Sequence, residues 1–494
     1  MVFSSVIFLF LFLPLVLAVS VPLHAGMARR PDSLPWRMAA NGWLVVVSLV
    51  FYGWGEPRLL PLLLASTAVN YAGGLLIAAA HRRPALVTGM AVAANLGGLL
   101  WFKYSYLFSQ ALSPVLVWLH LPGGEIVGHL PPVALPLGIS FFTFHGISYL
   151  VDVHRRKCPA ARNFVDFACY FTLFPQLVAG PIVRYSEVAA DLVARRLSWD
   201  GFHEGLRRFI IGLGKKVLIA NQVAITADTV FALTGSALNG AAAWIGLTAY
   251  ALQIYFDFSG YSDMAIGLGR MLGITYPENF DQPYRAASMR EFWRRWHMTL
   301  TRWFRDYLYI PLGGSRVGRP RTAFNLLLVF ALCGLWHGAS WNFLLWGLWH
   351  GAFMSGERTL GLGLPGRPRA STSVRAMGHA YTLLVVWLGW VVFRCATWPE
   401  ALHFFNALLD WRTLSAWQAI PWRALAPDVA LAFVVGLVSA TPLGPWLVRP
   451  LLRRRSSDGQ IGQTLQAFGL LIVLGLSLIA VGTGSHNPFI YYRF

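Results

Sequence analysis

The sequence predicts an all-α polytopic membrane protein: about ten transmembrane helices, re-entrant hairpins and cytoplasmic amphipathic helices. Three observations predict it. First, 56% of the 494 residues are hydrophobic and only 12% are charged, about half the usual charged share of a soluble domain. So few charges cannot coat a water-facing surface, which excludes a soluble enzyme, a disordered chain and a fibrous one. Second, apolar stretches of about 20 residues, the length of a helical span, recur from end to end. Third, basic clusters punctuate those stretches, and the net charge is +19. Lys and Arg collect in cytoplasmic loops that face anionic lipid. The basic balance therefore implies membrane lipid as a partner and no nucleic acid.

The elements follow in order. VIFLFLFLPLVLAVSVPLHA reads as an uncleaved first span with its N-terminus outside. No Lys or Arg precedes it, and Arg29, Arg30 and Arg37 follow it. Spans near 39–54, 58–80 and 85–101 continue the alternation, with His81, Arg82 and Arg83 on the cytoplasmic side. Pro114, Pro122, Pro131 and Pro132 break the apolar stretch 104–135, which reads as an interfacial helix and an outer loop. A span near 136–153 returns the chain to Arg155, Arg156 and Lys157. Residues 163–181 are apolar but basic on both flanks, the far one being Arg184, Arg195 and Arg196. A re-entrant segment sheathed by protein accounts for that pattern. Spans near 207–232 and 242–273 follow.

Residues 276–322 interleave arginines, from Arg285 to Arg321, with Phe292, Trp293, Trp296, Trp303, Phe304, Tyr307 and Tyr309. This reads as a cytoplasmic basic-aromatic belt at the membrane surface. Residues 323–358 then form a hairpin around HGAS that enters from the cytoplasm and returns to Arg358, Arg367, Arg369 and Arg375. Spans near 380–397, 429–448 and 464–482 complete the chain. RPLLRRR at 449–455 marks the cytoplasm, so the tail, 483–494, lies outside. The whole chain, 1–494, is one integral-membrane domain. The four cysteines are widely spaced and give neither a disulfide framework nor a thiolate metal site. No metal constellation is visible.

Ionisable groups inside hydrocarbon are costly and point to function. His337 stands at the tip of the hairpin. The stretch 323–336 rises about 21 Å at 1.5 Å per residue, which puts His337 deep in the membrane. Gly334 and Gly338 flank it and let backbone or ligand approach. A buried histidine bonded to a neighbouring helix is the alternative. His350 reads as an interfacial polar cap, and His297 by itself as a surface residue of the belt. Asp257 and Asp263 lie in an apolar stretch, where charge pairing with Arg270 is expected.

Several stretches then point to one family. PLGISFFTFHGISYLVDVHRRK, FPQLVAGPIVRYSE, YFDFSGYSDMAIGLGRMLGI, ENFDQP, EFWRRWHMTLTRWFRDYLYIPLGG and GLWHGASWNFLLWGLWHG resemble the membrane-bound O-acyltransferase family. The similarity is to its bacterial branch of alginate O-acetyltransferase membrane subunits. The opening MVFSS and the closing PFIYYRF are similar to that branch as well. The resemblance implies a ring of helices around a central tunnel open to the cytoplasm. It assigns the catalytic histidine to His337, in LWHGASW, and the second characteristic polar position to His297, in RRWH. It implies acetyl-coenzyme A as the acyl donor, with no bound cofactor. It further implies a place in the bacterial inner membrane and a separate periplasmic polysaccharide acetyltransferase as partner. The distribution of basic loops puts both termini on the periplasmic side.

Thioester transfer suits an imidazole, as a base or a transient acyl carrier. Arg294, Arg295 and Arg302 of the belt are candidates for the donor's anionic groups, through charge-assisted contacts; lipid headgroups are the other reading of the belt. Composition alone also admits a transporter or flippase, or a scaffold of a polysaccharide secretion complex. Transporters, however, often show repeated halves, and none is visible. Finally, the ending FIYYRF resembles the C-terminal motif of a small peptide that serves the teichoic-acid D-alanylation relatives. That resemblance makes Tyr491 a candidate acyl relay, with Tyr492 second. An aromatic anchor at the headgroup level is the alternative.

Overall fold

A computed structural model describes residues 1–494 except 31–32, 122–123, 132, 196, 363–370, 417–419, 442–458, 485–489 and 491–494. The basic run 449–455, Arg196, Arg367, Arg369, Tyr491 and Tyr492 lie outside the described residues. The described residues are mostly helical, and no strand occurs among them. Seven helices are long and apolar enough to cross a membrane. Among them are α1 (Phe8–Arg29), α2 (Leu34–Gly55) and α3 (Leu60–Ala79). The protein is a multi-pass membrane protein.

The fourth span differs from expectation. It runs without a break as α4, Pro84–Trp118, where an interfacial helix and loop were expected after residue 101. Pro114 sits inside it. The helix passes through a π-turn at Leu100–Tyr104, a wider turn of the kind that interrupts α-helices without ending them. Next, α5 (Ile139–His154) is almost wholly buried. Two short helices follow, α6 (Phe164–Thr172) and α7 (Phe174–Leu177). Residues 166–183 are all buried, so this piece is sheathed by protein. Asn163 caps α6, its Oδ1 accepting from the Val165 and Asp166 amides.

After α8 (Tyr185–Val193), α9 (Trp199–Phe231) and α10 (Gly240–Met271) form the spine of the fold. Small residues allow them to touch backbone to backbone. A Cβ on Gly205 would lie 2.6 Å from the Gly267 carbonyl, and one on Gly212 2.6 Å from that of Gly260. Three ion pairs cross the same seam: Lys216 to Asp257 at 2.7 Å, Lys215 to Asp263 at 2.6 Å, and Arg208 to Asp263 at 2.9 Å. Both acids are charge-paired, but not with Arg270, which pairs with Glu204. Arg270 lies about 10 Å along the same helix from Asp263, while α9 presents its cations directly alongside.

The belt is not one continuous amphipathic strip. It folds into α11 (Met289–Arg295) and α12 (Met298–Phe304). Phe292, Trp293, Trp296, Trp303 and Phe304 are all buried. The hairpin follows as α13 (Arg319–His337) and α14 (Trp341–Thr359). Then come α15 (Thr372–Arg394), α16 (Trp398–Leu409), α17 (Pro427–Ala440) and α18 (Gly459–Gly482). The expected spans at 136–153, 242–273 and 429–448 correspond to α5, α10 and α17, which are helical but outside the seven. The first is short, the second carries acids and glycines, and α17 has only 14 described residues.

Candidate active site

His337 is the last residue of α13, and the turn after it is tight. Gly334 makes the hairpin close: a Cβ there would lie 2.1 Å from the Phe343 carbonyl oxygen. Ser340 caps α14, its Oγ accepting from the Phe343 amide at 3.5 Å. His337 is only 4% exposed. Its ring packs edge-on against Trp336, Trp346 and Phe393, with centroids 4.9, 5.2 and 5.3 Å away. Apolar rings on several sides exclude water from this imidazole.

His297 is not a surface residue. It is fully buried, because the chain turns inward between α11 and α12 at a left-handed φ of 42°. Its Nδ1 lies 3.0 Å from Asn279 Oδ1. Its ring meets Phe258 at 4.7 Å and Trp336 at 6.0 Å. Trp336 is the residue before His337, so the two histidines flank one indole. Both rings contact that indole, with centroids 6.0 Å away for His297 and 4.9 Å for His337. The structure therefore brings together the two histidines singled out in the sequence.

His350 is not an interfacial cap. It is fully buried among Trp293, Trp346 and Trp390, since Trp293 of the belt and Trp390 of α15 close over the hairpin at its level. Neither of its ring nitrogens has a hydrogen-bond partner among the described residues. Gly389 accommodates it: a Cβ there would lie 2.9 Å from Nε2.

A cavity of about 300 Å³ opens between the belt and the hairpin. Arg290, Arg294, Arg305 and Arg358 line it together with Phe330 and Cys333. Cys333 precedes His337 by one turn of α13, about 6 Å along the axis. Glu357 at the end of α14 holds the belt in place, accepting from the Met289 and Arg290 amides at 2.6 and 3.2 Å. Burial, and then the charges of Arg294 and Arg358, lower the Arg290 pKa. Like charges held this close favour an anion between them.

Of the sequence candidates, Arg294 lines this cavity. Arg295 instead pairs with Asp281 and Glu291, and Arg302 with Glu187 at 3.7 Å. Sequence reasoning missed Arg290, Arg305, Arg358, Asn279 and Lys103. ENFDQP contained Asn279, but nothing in its pattern tied it to His297. Among the described residues no three His, Cys, Asp or Glu side chains gather as a metal site. The tail residue Tyr491 lies outside the described residues. Its neighbour Ile490 is buried, and its amide donates to Asp257 Oδ2 at 2.9 Å.

The sequence pattern of the membrane-bound O-acyltransferase family matches residues 140–397, which spans α5 to α15 and both histidines. The chain belongs to this family. As an O-acyltransferase it is an enzyme, which sets aside the transporter and scaffold readings. It is 38% identical to the probable alginate O-acetylase AlgI of Pseudomonas putida, over the full length of both chains. It is 37% identical, again over both full lengths, to the probable alginate O-acetylase AlgI of Azotobacter vinelandii. The peptidoglycan O-acetyltransferase of Helicobacter pylori is 36% identical, across 83% of this chain and 80% of its own. The acyltransferase therefore resembles proteins named for O-acetylation of alginate and one named for O-acetyl transfer to peptidoglycan.

Proposed function

We propose that this acyltransferase takes acetyl from cytoplasmic acetyl-coenzyme A and passes it across the bacterial inner membrane for O-acetylation of an exported polysaccharide, alginate or a similar polymer. The carrying observation is the arginine-mouthed cavity whose apolar depth reaches Cys333, one turn from His337. Its cations suit the phosphates of a coenzyme A, and its apolar interior suits a thin, uncharged acyl arm. A ring of helices with a tunnel along this axis is the architecture that such a route needs. Arg294 takes part at the mouth, with Arg290, Arg305 and Arg358. Arg295 and Arg302 act indirectly, by bracing the belt through their acidic partners.

In the transfer step a hydroxyl oxygen attacks the thioester carbonyl carbon. A C–O bond forms and the C–S bond breaks. The hydroxyl proton passes to an imidazole and from there to the departing thiolate, so coenzyme A leaves as the thiol. His337 holds that proton in this reading; a transient acyl-histidine is the other form its chemistry allows. His297 orients the donor or polarises its carbonyl. Tyr491 supplies the receiving hydroxyl, and a phenol ester is a reactive, transferable form. The burial of Ile490 against Asp257 supports a tail that enters the protein. A separate periplasmic polysaccharide acetyltransferase then accepts the acetyl group, with both chain termini on the periplasmic side.

Purified protein with labelled acetyl-coenzyme A tests the donor, and the same reaction with the partner and polymer tests delivery. Absence of any labelled product in either reaction would overturn the proposal. Tyr491→Phe keeps an aromatic anchor but removes the hydroxyl. Wild-type polymer acetylation by that variant would make the tail an anchor.

A further inference from the structure

A helix that ends buried inside a protein leaves its last carbonyls without intrahelical donors and away from water. The helix α13 ends at His337. The Gly338 amide reaches the Gly334 carbonyl only at 3.4 Å. The next two carbonyls are met from another span. Tyr104 Oη donates to the Leu335 carbonyl at 2.7 Å, and Lys103 Nζ donates to the Trp336 carbonyl at 2.5 Å. Lys103 Nζ also donates to Ser140 Oγ at 3.2 Å, at the start of α5.

Both donors stand on the π-turn Leu100–Tyr104 of α4. A wider turn is a local distortion of a helix, often found at functional sites. Here it sets two consecutive side chains against one helix end. Both are buried, Lys103 9% and Tyr104 8% exposed.

We propose that Lys103 and Tyr104 are positioning residues for His337. The Trp336 carbonyl belongs to the peptide that joins Trp336 to His337, and the Leu335 carbonyl to the peptide before it. Holding both planes fixes the direction in which His337 leaves the helix. A displacement of about 1 Å at a reacting group can cost on the order of 100-fold in rate. A helix end that frays would give that displacement. The proposal rests on the acyl-transfer reading of His337, but the cap itself does not.

Lys103→Met keeps the length and apolar stem of the side chain and removes its donor. Tyr104→Phe removes only a hydroxyl. Both are made in the full chain, in membranes, with labelled acetyl-coenzyme A. For Lys103→Met, kcat should fall at least about tenfold while the donor KM stays within about twofold, the signature of misplaced chemistry and not of lost binding. Tyr104→Phe should show the same split at about threefold. Amide hydrogen exchange over residues 335–340 should quicken in both, with the melting temperature little changed. Wild-type kcat in Lys103→Met overturns the proposal. If Lys103→Met is not recovered folded, Tyr104→Phe decides, and an unchanged kcat there overturns it. If the wild-type protein does not turn over acetyl-coenzyme A, the donor reading fails instead. Exchange at 335–340 then decides the cap: unchanged protection in both variants rejects it.

Discussion

Asn279 Oδ1 lies 3.0 Å from Nδ1 of His297, and this contact fixes which ring nitrogen carries the proton. The same oxygen accepts from the Thr299 amide at 3.3 Å and the Thr299 hydroxyl at 2.9 Å. The other end of the amide, Nδ2, donates to Ser262 Oγ at 2.9 Å. An oxygen with those partners is an acceptor, so His297 must donate from Nδ1. The lone pair is then on Nε2. Nε2 is buried and has no hydrogen-bond partner among the described residues.

The first prediction follows from that tautomer. Asn279→Ala removes the acceptor and frees the ring, and acyl-transfer kcat should fall by about 10–100-fold, within the range of a lost acid–base contribution. Asn279→Asp keeps an acceptor and should retain more activity than Asn279→Ala. Initial rates of acetyl transfer compare them. Equal rates for the two variants would mean that the contact orients nothing that matters.

The second prediction concerns His337. His337→Ala should abolish acyl transfer while the protein still inserts and folds. Its ring is packed by three aromatics, and removing it leaves a cavity costing about 3–5 kcal/mol. The melting temperature should therefore drop but remain measurable. Polymer acetylation at the wild-type level would remove His337 from the chemistry.

The third prediction separates the arginines. Arg294→Glu reverses a charge at the cavity mouth and should raise the donor KM about tenfold with a smaller change in kcat. Arg302→Glu sets two carboxylates together at Glu187 and should cost stability more than donor KM. Steady-state kinetics and thermal unfolding of the two variants decide this. A KM effect from Arg302 and none from Arg294 would move the donor site to the other side of the belt.

Much of this was legible in the sequence, and the remainder has physical causes. The hairpin was visible because GLWHGASW breaks two apolar runs with a glycine-flanked histidine. The meeting of His297 with His337 was not visible from spacing. It depends on a left-handed φ at His297 that turns the belt inward, and arginine-tryptophan alternation reads the same on a surface or over a core. The ion pair of Asp257 was visible in kind but not in partner, since helix packing across glycines chooses Lys216. Lys103 escaped notice because one lysine at the end of an apolar run is also what an interfacial anchor looks like.

The last prediction tests whether the tail works through Asp257. The Asp257–Lys216 pair is buried, with side chains only 2% and 4% exposed. Asp257→Ala removes the carboxylate from the Lys216 ammonium, and breaking a buried pair from one side costs about 3–5 kcal/mol. Lys216→Met with Asp257→Leu replaces both charges by apolar groups, a change that is often neutral for stability. The single variant should therefore unfold at a clearly lower temperature and the double variant near the wild-type one. In both, however, the Ile490 amide loses its acceptor. If Ile490 holds the tail in its working position, the double variant should be stable yet slow in delivering acetyl to polymer. Release of coenzyme A thiol and polymer acetylation, measured side by side, decide it. A double variant with wild-type stability and wild-type delivery would show that Asp257 serves the helix pair alone.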